Sequence, residues 1–308
     1  MKLRVAVGAA LLAIGIALAA LGIAQRGMPW GFRGHAAALA EATHNVELVP
    51  SLARAGRDGL DDAMLPKARG TFLDVGDSVR VGIHSEARLL LPGGALVIGD
   101  GTRVVLTAKG ARLEQGAVDV VVTAGAAPFV LELAAPKAEM TLRAATGDGG
   151  FRIISDGKHE ARVAVRAGSV DAASGADAQT VTAGKVLRLG ADKALSVEEP
   201  ATSLALTASC AERRVTIQAP AATQLFVDGV LYYPEGGQVR AATVPEHPER
   251  THVFGRDVVG NVAPVAEIAC VVAPPIDQLM PNGAPAPPAP RSPTTRSPAP
   301  RLPAPKPP

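Results

Sequence analysis

Short runs in which apolar and polar residues alternate recur through the middle of the chain, each ended by Gly or Asp. Ser78–Val81, Ala87–Leu91, Arg103–Thr107, Val118–Thr123, Phe129–Leu133, Phe151–Ser155, Ala161–Arg166 and Val186–Leu189 all read this way. A period of two marks half-buried strands. The separators Pro92-Gly93-Gly94, Gly99-Asp100-Gly101, Gly147-Asp148-Gly149 and Ala173-Ser174-Gly175 are turn chemistry, because Gly and Asp tolerate positive φ. Strands without intervening helices predict an all-β unit over residues 69–199. Gly-rich, aromatic-poor strands suit a β-solenoid or roll with irregular coils. A second run of short strands, Leu204–Ser209, Val215–Ala219, Leu225–Val227, Val239–Val244, His252–Gly255 and Ile268–Val272, predicts a small sandwich over residues 201–274.

The flanks differ. Val5–Ala24 is an unbroken stretch without charge, preceded by Lys2 and Arg4. As a helix it measures about 30 Å, the hydrocarbon thickness of a bilayer. Residues 1–26 are therefore expected to be a transmembrane anchor, with the basic end cytoplasmic and all that follows exported. A cleaved signal peptide is the alternative, since Gly22-Ile23-Ala24 carries small residues at suitable offsets. Residues 27–68 read as a juxtamembrane linker, with two helical turns expected at Ala36–Ala42 and a short helix around Leu60–Leu65. Residues 275–308 form a Pro-rich basic tail that cannot build a core and is expected to be disordered and extended.

Composition supports export and narrows function. Aromatic residues make up 3% of the 308 and charged residues 19%, so the core must be built largely from Ala, Val and Leu. A net charge of +2 argues against a general nucleic-acid binder. Arg outnumbers Lys, and Ala, Gly and Pro abound, which points to a GC-rich bacterial genome. The two cysteines, Cys210 and Cys270, bracket the second unit. An even count in an oxidising compartment favours a disulfide, with buried free thiols as the alternative. Closing a loop of this length is worth roughly 4 kcal/mol in the chain-entropy model.

Candidate chemistry is sparse. His247, Glu249 and His252 lie close together, but residues five apart on a strand face opposite sides, and Pro245 and Pro248 break any helix. This segment reads as a surface loop. Gly99-Asp100-Gly101 and Gly147-Asp148-Gly149-Gly150 lack both EF-hand spacing and a P-loop ending, and read as hairpin turns. Asp58, Asp61 and Asp62 form a solvated acidic cluster. No Gly-x-Ser-x-Gly occurs and the six His are scattered, so no enzyme activity, metal or cofactor is expected. Arg291, Arg296, Arg301 and Lys306 in the tail are candidates for salt-sensitive binding to anionic wall polymers. The same tail also reads as a flexible spacer or as an extended ligand for a partner domain.

The segment from about Arg69 to Glu198 resembles the FecR domain of bacterial envelope proteins. Val75-Gly76-Asp77-Ser78-Val79-Arg80-Val81-Gly82 is similar to the family's opening element, and Ala87–Leu91 with Pro92-Gly93-Gly94 to its strand and turn. Leu113-Glu114-Gln115-Gly116-Ala117-Val118, Pro128-Phe129-Val130-Leu131, Val163–Val170 and Val181–Lys185 are similar to the elements that follow, in the same order. The chain departs from the pattern at Ala144–Phe151. Residues 201–274 resemble a bacterial immunoglobulin-like domain through Asp257-Val258-Val259-Gly260-Asn261, which is expected to make a tight turn before the last strand. Founding FecR-domain members are transmembrane regulators whose cytoplasmic domain holds a sigma factor. Only Met1–Arg4 precede the apolar stretch here, so that activity is not expected to carry over. The resemblance implies a membrane-anchored periplasmic binding or scaffold module, its partner an envelope protein or a cell-wall polymer. The alternative is an accessory in envelope signal transduction that acts through a separate protein. Either would place a single-pass protein in the bacterial inner membrane.

Overall fold

The computed structural model describes residues 34–58, 64–192, 194–211, 214–235, 237–242 and 250–270. Val5–Ala24 and the tail residues Arg291, Arg296, Arg301 and Lys306 lie outside them. Among the described residues no helix is long and apolar enough to cross a membrane.

Sixteen strands form one continuous sheet folded into two layers. The first layer runs β3 (Phe72–Leu73), β1 (Ala37–Ala42), β5 (Ala87–Leu91), β6 (Gly94–Ile98), β8 (Gly110–Val122), β11 (Gly149–Ser155), β12 (Ala161–Ala167), β15 (Val186–Leu189) and β16 (Leu195–Glu198). The second runs β2 (Val46–Val49), β4 (Ser78–Val81), β7 (Arg103–Thr107), β8 again, β9 (Phe129–Leu133), β10 (Ala138–Arg143), β13 (Ser169–Ser174) and β14 (Asp177–Thr182). Strand β8 serves both layers. Residues 110–113 pair with β7 and β9, and residues 116–122 pair with β6 and β11. Every described pairing is antiparallel except β8 with β9. A solenoid stacks its strands in parallel coils, so that expectation is corrected: the unit is a roll of hairpins closed over one core.

That core follows from the alternation. Leu89, Leu96, Ile98, Leu106, Leu113 and Phe151 all point inward and are buried, each contributing about 1.5–3 kcal/mol by leaving water. The outward positions carry cross-strand ion pairs instead. Arg152 and Arg166 flank Asp119 at 3.2 and 3.0 Å, and Arg162 and Arg188 flank Glu160 at 2.5 and 3.2 Å.

Residues read as a linker belong to the roll. Ala37–Ala42 is a strand, not two helical turns, because β1 pairs with both β3 and β5 and buries Ala37, Ala38 and Leu39. Its Ala-rich sequence favours helix only weakly, and sheet pairing overrides that preference. The helix α1 runs Leu52–Asp58, and the short helix expected around Leu60–Leu65 falls mostly outside the described residues. Residues 59–63 lie outside the described ones, and Leu65 is buried with its N–H bonded to the Leu48 carbonyl at 2.8 Å.

The C-terminal part has two small sheets. One is β17 (Thr207–Ala211), β18 (Arg214–Gln218) and β21 (Gln238–Ala242). The other runs β20 (Val230–Tyr232), β19 (Gln224–Val227), β22 (Thr251–Arg256) and β23 (Ala266–Ile268). Leu204, Val215, Ile217, Leu225 and Val253 fill the space between them. A disulfide joins Cys210 in β17 to Cys270 just beyond β23, linking the first strand of this part to its last.

The two parts share a junction. Ala117, Ile154, Ala164 and Val186 face outward from the first layer of the roll, yet are buried against Val258, Val259 and Tyr233. The Asp257–Asn261 motif builds the plug. Asp257 Oδ1 accepts the N–H groups of Gly260 and Asn261, both at 2.8 Å, and Asn261 Nδ2 donates to Asp257 Oδ2 and to the Ala201 carbonyl, also at 2.8 Å. The expected tight turn is present, and it also pushes two valines onto the roll.

Candidate binding cleft

The two layers close at one end and open at the other. At the closed end β8 bends at Gly116 beside Thr102, whose Oγ1 accepts the Ala117 N–H at 2.8 Å. The open end collects the Pro92-Gly93 turn, the Ala108-Lys109 turn, the loop 123–128 that carries β8 to β9, and the entry of the chain at Gly34–Ala36. Between them lies a cleft of about 800 Å³, within the size range of small-molecule sites. Its walls include Leu91, Pro92, Val121, Phe129 and Val130. Among the described residues, His35, Thr107, Lys109 and Thr141 alone bring polar side chains to it.

His35 is held firmly. Its ring stacks on Phe72 with centroids 4.5 Å apart, and Nδ1 lies 2.5 Å from Asp74 Oδ1. Asp74 Oδ2 is 3.8 Å from Arg54 Nε, and Arg54 also binds the fully buried Asp77 at 2.5 Å. Burial works against the Arg54 charge, but the hydrogen bond to Asp77 and the charges of Asp77 and Asp74 outweigh it and raise its pKa. Lys109 is exposed and has no ion-pair partner among the described residues.

The residues singled out by sequence fall elsewhere. Cys210 and Cys270 form the disulfide, far along the chain from the cleft-lining residues. His252 is an exposed β22 residue 3.8 Å from Glu267, while His247 and Glu249 lie outside the described residues. Asp100 of the Gly99–Gly101 turn accepts the Ser85 N–H at 3.1 Å and sits 3.8 Å from Arg256, so the turn serves the junction. Asp148 accepts the Ala124 N–H at 2.9 Å and fixes the loop beside the cleft. Asp58 pairs with Arg54, and Asp61 and Asp62 lie outside the described residues. No group of His, Cys, Asp and Glu suited to a metal occurs among the described residues.

Sequence reasoning missed the cleft, although a signal was present. Val120-Val121-Val122 and Phe129-Val130-Leu131 put apolar residues at outward positions where alternation calls for polar ones. Val121 is 40% exposed.

The junction holds one strongly shifted group. Burial pushes the Tyr233 hydroxyl up to about 12, and the nearby carboxylates Asp100 and Asp156 add to the shift. The hydroxyl faces the Gln224 and Gln115 side chains without a well-aligned hydrogen bond to either. A phenol whose pKa rises on folding contributes stability below its unfolded value of 10.0, and loses it as pH climbs to about 12. The loss amounts to about 2–3 kcal/mol. Urea titrations at successive pH values should show it, and Tyr233→Phe should remove this alkaline loss at little cost near neutrality.

The geometry defines a class: an all-β protein of two joined parts, the second closed by a disulfide, with an apolar cleft at the open end of its roll. No protein-family profile matches the chain, and no curated protein matches it. Two crystal structures of a "putative anti-sigma factor" from Parabacteroides distasonis ATCC 8503 are similar over 40% of this chain. The identities are 15% and 14%, with a TM-score of 0.33 in each case. This chain spans 59% of the length of those chains. A likeness at this level carries no argument about function.

Proposed function

We propose that this protein is a non-catalytic binding module of the bacterial envelope, anchored in the inner membrane through Val5–Ala24. Residues 69–199 act as a FecR-like domain and residues 201–274 as an Ig-like domain. The observation that carries the reading is the cleft at the open end of the roll. Apolar walls, a lysine with no ion-pair partner among the described residues and a histidine committed to Asp74 make a surface suited to holding a ligand. The Cys210–Cys270 disulfide supports export, because such bonds persist in oxidising compartments.

Crosslinking of the full-length protein in intact cells, followed by pull-down and mass spectrometry, tests the reading. Recovery of wall fragments or an envelope component is the expected result. A single dominant membrane sensor or regulator would replace the scaffold reading with one of envelope signalling. Recovery of cytoplasmic proteins alone would overturn both.

A further inference from the structure

We propose that the cleft binds a single-chain amphiphile with an anionic head, drawn from the membrane surface. The hydrocarbon chain lies against Leu91, Pro92, Val121, Phe129 and Val130, and the head meets Lys109. This deepens the binding reading above and rests on it.

Three observations converge on this ligand. The first is the wall chemistry. A sugar or peptide needs convergent donors and acceptors, and among the described residues this cleft has polar side chains only from His35, Thr107, Lys109 and Thr141. Methylene groups suit it, each worth about 0.8 kcal/mol when buried. The second is charge. No Asp or Glu is among the described residues that line the cleft, and Lys109 has no ion-pair partner among the described residues, so an anionic head meets a cation that none of these residues already pairs. The third is position. Gly34 lines the cleft, and residues 25–33 separate it from the end of the apolar stretch at Ala24. Fully extended, such a segment reaches about 30 Å, which keeps the cleft within reach of the bilayer that Val5–Ala24 is proposed to span.

The test uses the full-length protein in phosphatidylcholine nanodiscs with a photoactivatable palmitic acid as probe. Crosslinks are mapped by mass spectrometry. They are expected in peptides containing residues 91–93 and 126–130, in addition to any membrane background in Val5–Ala24. Unlabelled palmitate and palmitoyl lysophosphatidic acid should both compete, and the stronger of the two identifies a carboxylate or a phosphate head. Hexadecanol, with the same chain and no charge, should compete about threefold less well than palmitate. Lys109→Gln, at an exposed turn, should lower cleft crosslinking about threefold, the size expected of one solvent-facing charge pair. Crosslinks confined to Val5–Ala24, or hexadecanol competing as well as palmitate, would overturn the proposal. If the pull-down still recovers an envelope component in that case, the binding reading stands and only the ligand assignment falls.

Discussion

Asp77→Ala is expected to lower the stability of the roll by about 3–4 kcal/mol. Asp77 is completely buried in the connection between β3 and β4. Its carboxylate accepts the N–H groups of Ser51 and Asp74, each at 2.8 Å, and the Arg54 guanidinium at 2.5 Å. Removing it strands two backbone donors and strips Arg54 of its closest counter-charge. Breaking a buried pair from one side costs about 3–5 kcal/mol. The lower part of that range applies, because Asp58 and Asp74 stay within 3.3 and 3.8 Å of Arg54 Nε. Asp77→Asn keeps an acceptor for only one of the two backbone donors, because Ser51 N–H bonds Oδ1 and Asp74 N–H bonds Oδ2, and should cost less than Asp77→Ala. Adding Arg54→Ala to Asp77→Ala should cost less than the two single changes summed, since they share one network. Urea unfolding of the variants checks each step. A loss below about 1 kcal/mol for Asp77→Ala would mean that the cluster relaxes into solvent and does not hold α1 to the roll. The same cluster positions Asp74, and through it His35 at the cleft, so the variant should also weaken ligand retention.

Several strands were legible in the sequence because each carries its own pattern. Ser78–Val81, Ala87–Leu91, Arg103–Thr107, Phe129–Leu133 and Val186–Leu189 coincide with β4, β5, β7, β9 and β15. In each, alternation survives because one face meets the core. Residues 169–182 were missed because Ser, Asp, Ala and Thr dominate them. They form β13 and β14 at the edge of the second layer, where β14 has Val181 as its one buried side chain. Layer assignment was not legible either, since pairing partners such as β8 and β11 are set by long-range closure. The junction left a trace that went unread. Ile153-Ile154 and Val163-Ala164-Val165 are apolar on both faces, the mark of a strand covered on both sides. The cleft is built from turns far apart in sequence, so its existence depended on the fold, although its apolar outward valines did not.

Gly116→Ala is expected to cost about 4–5 kcal/mol. Gly116 has φ +111° and sits where β8 leaves one layer for the other. A Cβ there would lie 2.2 Å from Thr102 Oγ1 and 2.4 Å from Thr102 Cα. The backbone atom cannot swing away as a side-chain tip would. Left-handed backbone costs an L-residue about 1–2 kcal/mol, and overpacking about 1–3 more. Displacing Thr102 also sacrifices its hydrogen bonds with the Ala117 N–H and carbonyl at 2.8 and 3.1 Å, each worth about 1 kcal/mol. Gly125→Ala is the control. Its φ is +75° but nothing lies within 4 Å of the added methyl, so only the backbone preference is lost, about 1 kcal/mol. Urea midpoints of the two variants separate steric closure from conformational preference. Equal losses would show that the bend can open without Thr102. A large gap would show that Gly116 fixes the path of β8, and with it the distance from the closed end to Val121 and Gly110, which both line the cleft. Gly116→Ala protein that still folds should then retain less of the photoactivatable probe at the cleft than the Gly125→Ala control.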